Sequence, residues 1–292
     1  MNLSLRTALA ATVAATALAT TLATPAVAAE TTETLEYVAL GDSFAAAPLV
    51  PPIDPSNLLC LRSLADYPHI AAKAMGARLT DVSCSGATAD HFTTSQHAGT
   101  KPQFDALTAE TDVVSITIGG NDTGLVATAL GCVNLLPKPL GTSCAAKNTE
   151  DGVDTVKARI DAWAPKFATT LHQVRQRAPH AEVFVIGYGN YIRPGGCYPT
   201  QPIWDVDATY IQGAVDHLSA ALRTTARQNG AAYVDTYSLG IGHDTCAAPA
   251  DRYMEGLIPT HVATPLHPNA NGSRAIGHAL ASAVLSTTTR TG

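Results

Sequence analysis

Short apolar runs bounded by turn residues recur along the chain, alternating with longer segments whose apolar residues return every three or four positions. The runs LEYVAL (35–40), RLTDVSC (78–84), DVVSITI (112–118), EVFVIGY (182–188) and AAYVDTY (231–237) are rich in Val, Ile and Tyr and predict five strands. Helical periodicity is clearest where Val153, Val156, Ile160, Trp163, Phe167, Leu171 and Val174 fall on one stripe, with Pro165 as the candidate kink. A second helix, over 205–229, groups Ile211, Val215, Leu218 and Leu222 and stops at Asn229-Gly230. A last one, over 269–286, aligns Ile276, Leu280 and Val284. Strands alternating with helices predict an α/β fold, with right-handed crossovers and a largely parallel five-stranded sheet covered on both faces. No repeat or linker divides the pattern, so one catalytic domain is expected over residues 30–292.

The first 29 residues break this pattern. Arg6 precedes a long Ala/Thr/Leu/Val tract that ends in Ala26-Val27-Ala28-Ala29, which reads as a secretory signal peptide over 1–29 rather than a membrane anchor. No later stretch is long and apolar enough to span a bilayer, so a transmembrane anchor is not expected. The chain carries 18 Lys and Arg against 24 Asp and Glu, with no basic cluster, which argues against nucleic acid as a partner.

Four loops, about 44–64, 124–150, 189–204 and 238–268, interrupt the regular elements, and each holds at least one cysteine. The six cysteines, Cys60, Cys84, Cys132, Cys144, Cys197 and Cys246, include no C-x-x-C pair. In an exported chain they read as three disulfides. Six cysteines allow 15 pairings; pairing neighbours in order, 60 with 84, 132 with 144 and 197 with 246, is the expectation. No H-E-x-x-H or similar spacing appears, and neither a metal nor a cofactor is expected.

Three successive strands end in polar signatures: Gly41-Asp42-Ser43, Ser83-Cys84-Ser85-Gly86-Ala87-Thr88 and Gly119-Gly120-Asn121-Asp122. Far downstream, TPLHPNANG (264–272) sets His267 before the final helix. A parallel sheet would bring these segments to one edge. Acyl transfer needs a hydroxyl, a base to take its proton and preorganised N–H donors for an oxyanion. Ser43, His267 and the trio of Ser43 N–H, Gly86 N–H and the Asn121 amide could fill those roles. Taken singly, each has a plainer reading: Ser43 as a helix cap, Asn121 as a turn residue, Gly86 as a tight backbone position. Asp42 and Asp122 are expected to fix their own turns by local hydrogen bonds. His261 is the reserve candidate for the base. The G-x-S-x-G elbow is absent; Gly141-Thr142-Ser143-Cys144-Ala145 is its nearest approach.

Gly41-Asp42-Ser43, Gly86, Gly120-Asn121-Asp122 and His267-Pro268-x-x-x-Gly272 resemble, in order, the four sequence blocks of the SGNH hydrolases, or GDSL esterases and lipases. The layout, with signal peptide and six cysteines, is similar to secreted actinobacterial lipases and esterases of that family. The resemblance covers essentially all of the chain after residue 29. It implies a three-layer α/β/α, flavodoxin-like fold and hydrolysis of carboxylic esters, with Ser43 as nucleophile and His267 as base. It also implies Ser43, Gly86 and Asn121 as oxyanion donors. One position departs: the family usually carries Asp three residues before the His, and here Thr264 stands there. Some secreted members orient the His by a main-chain carbonyl, so the C=O of Thr264 or a neighbour is the expected third partner, with Asp244, Asp251 and Glu255 as distant acids in reserve.

The expected function is therefore that of a secreted, monomeric serine esterase or lipase acting on small-molecule or lipid esters. Leu49, Val50, Ile53, Leu58, Leu59 and Leu61 after Ser43, and Leu125, Val126, Leu130, Leu135 and Leu136 after Asn121, suit an acyl-chain pocket. Packing of the same side chains against the body is the plainer reading. Carbohydrate, aryl or acetyl esters and phospholipids are alternative substrates on the same site; a secreted binding protein with a dead site is the alternative of another class.

Overall fold

The structure, a computed structural model, describes residues 34–288; the signal-peptide segment lies outside the described residues. Five strands, β1 (Glu36–Gly41), β2 (Arg78–Asp81), β3 (Val113–Thr117), β4 (Glu182–Ile186) and β5 (Ala232–Val234), form one sheet in the order β2-β1-β3-β4-β5. Every pairing is parallel, with Val38 opposite Thr80 on one side and Val114 on the other. Eight helices accompany them among the described residues: α1 (Ser43–Ala46), α2 (Tyr67–Met75), α3 (Leu125–Leu130), α4 (Cys144–Asn148), α5 (Thr155–Arg177), α6 (Asp205–Gln228), α7 (Thr236–Leu239) and α8 (Ala270–Thr288).

The winding reverses between β1 and β3. The chain steps from β1 outward to β2 and then returns past β1 to β3, β4 and β5. With right-handed crossovers, α2 lies on one face and α5 and α6 on the other; α8 packs against α2 and completes the first layer. This is the three-layer α/β/α arrangement, and its switch point, where an open sheet binds ligands, falls between the carboxyl ends of β1 and β3.

The central strands carry continuous apolar runs because both faces are covered: Ala39, Leu40, Val114, Ile116, Val185 and Ile186 are fully buried. On α5, Val156, Ile160, Trp163, Phe167, Leu171 and Val174 form the predicted buried stripe. Val153, placed on that stripe by periodicity, is 56% exposed, because Asp154 starts the helix by accepting from the Val156 and Lys157 amides. Pro165 lies on the exposed face of α5, which runs through it.

Four predicted strands are shorter than their apolar runs, β2 and β5 most of all. β2 ends at Asp81, which accepts from the Ser83 amide and turns the chain. β5 ends at Val234 because Asp235 caps α7 through the Tyr237 and Ser238 amides. The cysteines pair in order: Cys60–Cys84, Cys132–Cys144 and Cys197–Cys246. No helix among the described residues is long and apolar enough to cross a membrane.

Candidate active site

β1 delivers Gly41 to the switch point, and a side chain there would not fit: a Cβ on Gly41 would lie 2.5 Å from the Thr117 carbonyl oxygen of β3. The buried Gln103 amide clamps the same residue, accepting from Gly41 N–H at 2.8 Å and donating to Gly41 O at 2.9 Å. Asp42 then caps α1, its Oδ1 accepting from the Phe44 amide at 2.9 Å, and Ser43 becomes the first helical residue. The cap of this turn is thus Asp42, which leaves the Ser43 hydroxyl free of capping duty.

That hydroxyl faces His267. Ser43 Oγ and His267 Nε2 are 2.6 Å apart, and the two residues are only 7% and 8% exposed. The other ring nitrogen, Nδ1, lies 2.8 Å from a main-chain carbonyl. That carbonyl belongs to Pro265, not Thr264: the Thr264 amide and hydroxyl instead donate to Pro48 O, which turns its backbone toward the loop after α1. Since a carbonyl can only accept, Nδ1 carries the proton and Nε2 is left as the acceptor for the Ser43 hydroxyl. Burial holds the His267 imidazole below its ordinary pKa, with the Pro265 carbonyl pulling the other way.

The loop around His267 is itself fixed. Glu255 N–H donates to His267 O, and Leu266 N–H donates to Glu255 O. Leu266 takes a left-handed φ of 64° between them. Asn269 accepts from the Asn271 and Gly272 amides at the start of α8, and a Cβ at Gly272 would collide with the Tyr253 carbonyl oxygen, which accounts for the Asn and Gly of the His-Pro-Asn-x-x-Gly run. None of the reserve acids reaches the imidazole of His267. Asp244 pairs with Arg193, and Asp251 offers its main-chain oxygen to His243. The Glu255 carboxylate accepts from Thr260, His261 and Asn269, and these bonds hold it below the ordinary carboxylate range against the burial that would raise it. His261, the reserve base, is thereby committed to Glu255.

The donors expected for an oxyanion fall around this pair. The Ser43 and Gly86 main-chain N–H groups have no partner among the described residues. Gly86 has φ 81°, and a Cβ there would stand 3.5 Å from its nearest neighbour, so backbone conformation rather than space requires glycine. Asn121 Nδ2 donates to Ala87 O at 2.9 Å, tying the β3 loop to the loop after β2. Asp122 makes a second tie, accepting from the Ala89 amide 33 residues away; it joins two loops rather than fixing its own turn as expected. Cys84 N–H bonds Gly41 O, and Ser85 N–H bonds Cys60 O. The strand ends carrying 43, 86 and 121 are thus laced together.

Sequence reasoning missed Tyr188 and Gln103 here, and it named Glu255 only as a reserve acid and Pro265 only as a neighbour of Thr264. Tyr188, at the end of the fourth predicted run, donates its hydroxyl to Asp42 Oδ2 at 2.5 Å and accepts from the Gly120 amide at 2.9 Å. Gln103 carries no motif at all. Pro265 and Glu255 act through main-chain atoms, which no side-chain pattern announces. Burial pushes the Asp42 carboxyl up to about 7, although the Tyr188 and Phe44 hydrogen bonds oppose it.

Ser43, Asn121 and His267 line a cavity of about 700 Å³, counting its open mouth, whose walls are otherwise mostly apolar: Leu125, Val126 and Ala129 of α3, Ile211 and Val215 of α6, and Tyr191, Ile192, Ile203, Leu257 and Leu266. Of the eleven side chains expected from the two rim loops, only Leu125 and Val126 line it. Leu49, Leu58, Leu59 and Leu61 are exposed, Val50 packs in a separate small cluster with Ala47 and Ala263, and Leu135 is 79% exposed. The deeper wall comes from α6, whose buried stripe had been read only as core. A buried hydroxyl–imidazole pair with free N–H groups beside an apolar cavity can bind an acyl group and move a proton from oxygen to nitrogen.

This three-layer α/β/α fold, with a buried hydroxyl–imidazole pair at its switch point and no G-x-S-x-G elbow, defines the class, and comparison with known proteins names the family. The chain belongs to the GDSL-like Lipase/Acylhydrolase family, whose model matches residues 39–275. It is similar to Lipase 2 of Streptomyces coelicolor, 43% identical over 93% of this chain and 94% of that protein, and to a lipase of Streptomyces rimosus, 31% identical over 85% of each. Among solved structures it is similar to the extracellular lipase of Streptomyces rimosus (TM-score 0.72, 28% identity, 85% of this chain and 99% of that one). Phospholipase A1 of Streptomyces albidoflavus is also similar (TM-score 0.70, 28% identity, 86% and 99%). The chain is a carboxylic ester hydrolase.

Proposed function

We propose that the chain is a secreted lipase or esterase that cleaves fatty-acyl esters through a Ser43–His267 dyad. The observation that carries this reading is the 2.6 Å contact between Ser43 Oγ and His267 Nε2, with Nδ1 on the Pro265 carbonyl. In the first half-reaction Ser43 Oγ attacks the acyl carbon while its proton passes to Nε2. The developing oxyanion takes hydrogen bonds from Ser43 N–H, Gly86 N–H and the second Asn121 Nδ2 hydrogen. The C–O bond to the alcohol then breaks, and the alcohol leaves with the proton from Nε2. Water, deprotonated by the same nitrogen, releases the acid and restores Ser43. The carbonyl at Nδ1 holds the productive tautomer but supplies no negative charge to the imidazolium, so more of the stabilisation falls on the oxyanion donors.

The apolar cavity supports an acyl chain over an acetyl group, since each buried methylene contributes about 0.8 kcal/mol. Action on phospholipids at the same site is the second reading, supported by the likeness to phospholipase A1. Residues 1–29 serve as a leader that directs export, a reading supported by their n-region, apolar tract and A-x-A end together with three disulfides in the body. The exported chain acts as a monomer.

The test is Ser43→Ala in the purified protein, assayed on p-nitrophenyl esters of graded chain length. Loss of roughly 10⁴-fold or more in kcat is expected, with folding unchanged. Hydrolysis at the original rate would remove the dyad from the mechanism, and action confined to acetyl esters in the unmodified enzyme would remove the lipase reading.

A further inference from the structure

Two carboxylates meet away from the active site with nothing to neutralise them. Asp66 caps α2, its Oδ1 accepting from the His69 amide at 2.9 Å, and Asp81 closes β2. The Asp66 and Asp81 side chains are buried, and Oδ2 of each has no hydrogen-bond partner among the described residues. His69, one turn into α2, brings Nδ1 to 2.7 Å from Asp66 Oδ1 and 3.8 Å from Asp81 Oδ2, and its side chain is 30% exposed. The nearby cation is already engaged: Arg62 forks onto Asp54 Oδ2 through Nε and Nη2 and donates Nη1 to Ser83 O. Arg62 is thus committed to Asp54, and Oδ2 of both buried carboxyls is left without a donor.

We propose that Asp66, His69 and Asp81 form a binding site for one divalent transition-metal ion of the zinc class. Their ligand atoms lie within 4.8 Å of one another. Ligands of an ion bound at 2.0–2.2 Å stand roughly 3–4 Å apart, so small side-chain rotations complete the set. Two carboxylate oxygens and one imidazole nitrogen match zinc, whereas calcium requires six to eight oxygens. A divalent charge neutralises the pair and gives both orphaned oxygens a partner. Binding displaces the proton between His69 Nδ1 and Asp66 Oδ1 and releases it to solvent. A polar recess lined by Asp81, Arg62, Gln96 and Gln103 offers the ion a path. None of the three ligands lines the apolar cavity, so the ion stands outside the ester-cleaving machinery and clasps the start of α2 to the end of β2, just before Cys84 and Gly86.

The experiment strips the folded, disulfide-bonded protein with a chelator, adds Zn²⁺, removes the excess by gel filtration and measures bound zinc and the melting midpoint. One zinc per chain is expected after gel filtration, with a midpoint rise of roughly 5–10 °C when the melt is repeated with free Zn²⁺ at a hundredfold excess over Kd. His69→Ala and Asp81→Asn should each lose the retained zinc and the thermal shift while still hydrolysing a short ester. Because His69 is partly exposed, its variant keeps the fold testable. No retained zinc, or zinc retained equally by both variants, overturns the site. Stabilisation by Asp81→Asn with no response of the parent protein to zinc would show that the two carboxyls share a proton instead.

Discussion

Asp42 sits beside the proposed nucleophile, yet its hydrogen bonds go to the Phe44 amide and the Tyr188 hydroxyl, and it holds the turn rather than a proton in flight. Its carboxyl titrates at about 7 in the fold against 3.8 in the free chain. Between those values the folded state binds a proton that the unfolded state does not. The stability it contributes is therefore present in full below about pH 4 and is lost as pH rises through about 7. The difference is on the order of 4 kcal/mol. Asp42→Asn should remove this loss. Urea unfolding of both proteins at about pH 4.5 and about pH 8 is expected to show the variant gaining on the wild type at the higher pH. Asp66, also raised by burial, titrates in both proteins and cancels in the comparison. Equal pH slopes would mean that Asp42 stays ionised throughout.

At the scale of elements, legibility followed the length of the pattern. The long helices α5, α6 and α8 and the buried strands announced themselves because a stripe or a run repeats often enough to be counted. Nine-residue α2 went unread: Pro68 stands in its first turn, and its four buried residues, Tyr67, Pro68, Ala71 and Ala72, are too few to form a countable apolar stripe. The three strand-end blocks and His267 were legible because their chemistry resides in side chains at turn positions. The Nδ1 acceptor could be narrowed only to the carbonyl of Thr264 or a neighbour, because main-chain direction depends on tertiary bonds such as that from Thr264 to Pro48 O. The acyl cavity was misassigned for a related reason: apolar residues in loops and apolar residues on α6 look alike until packing distinguishes an exposed Leu135 from a lining Ile211. That corrected wall carries a prediction. Val126→Trp on α3 should fill the cavity mouth and lower kcat/KM for long acyl esters by roughly tenfold or more, while leaving short esters within about twofold. An unchanged chain-length profile would place the acyl chain elsewhere.

For the whole molecule, the three disulfides close loops of unequal length, spanning 24, 12 and 49 residues. If they stabilise chiefly by restricting the unfolded chain, replacing each pair by alanines should cost about 3.4, 2.8 and 4 kcal/mol respectively. Chemical denaturation of the three double variants tests the order, and a smallest loss for Cys197–Cys246 would contradict it. The sheet order has a further consequence. Ser43 and His267 meet across 224 residues of chain, and the switch point between them is complete only once α8 has packed against α2. A ribosome makes the chain from its N-terminus, so the proposed nucleophile exists long before its base. Until the segment bearing His267 has been made and packed, the proposed Ser43–His267 pair does not exist.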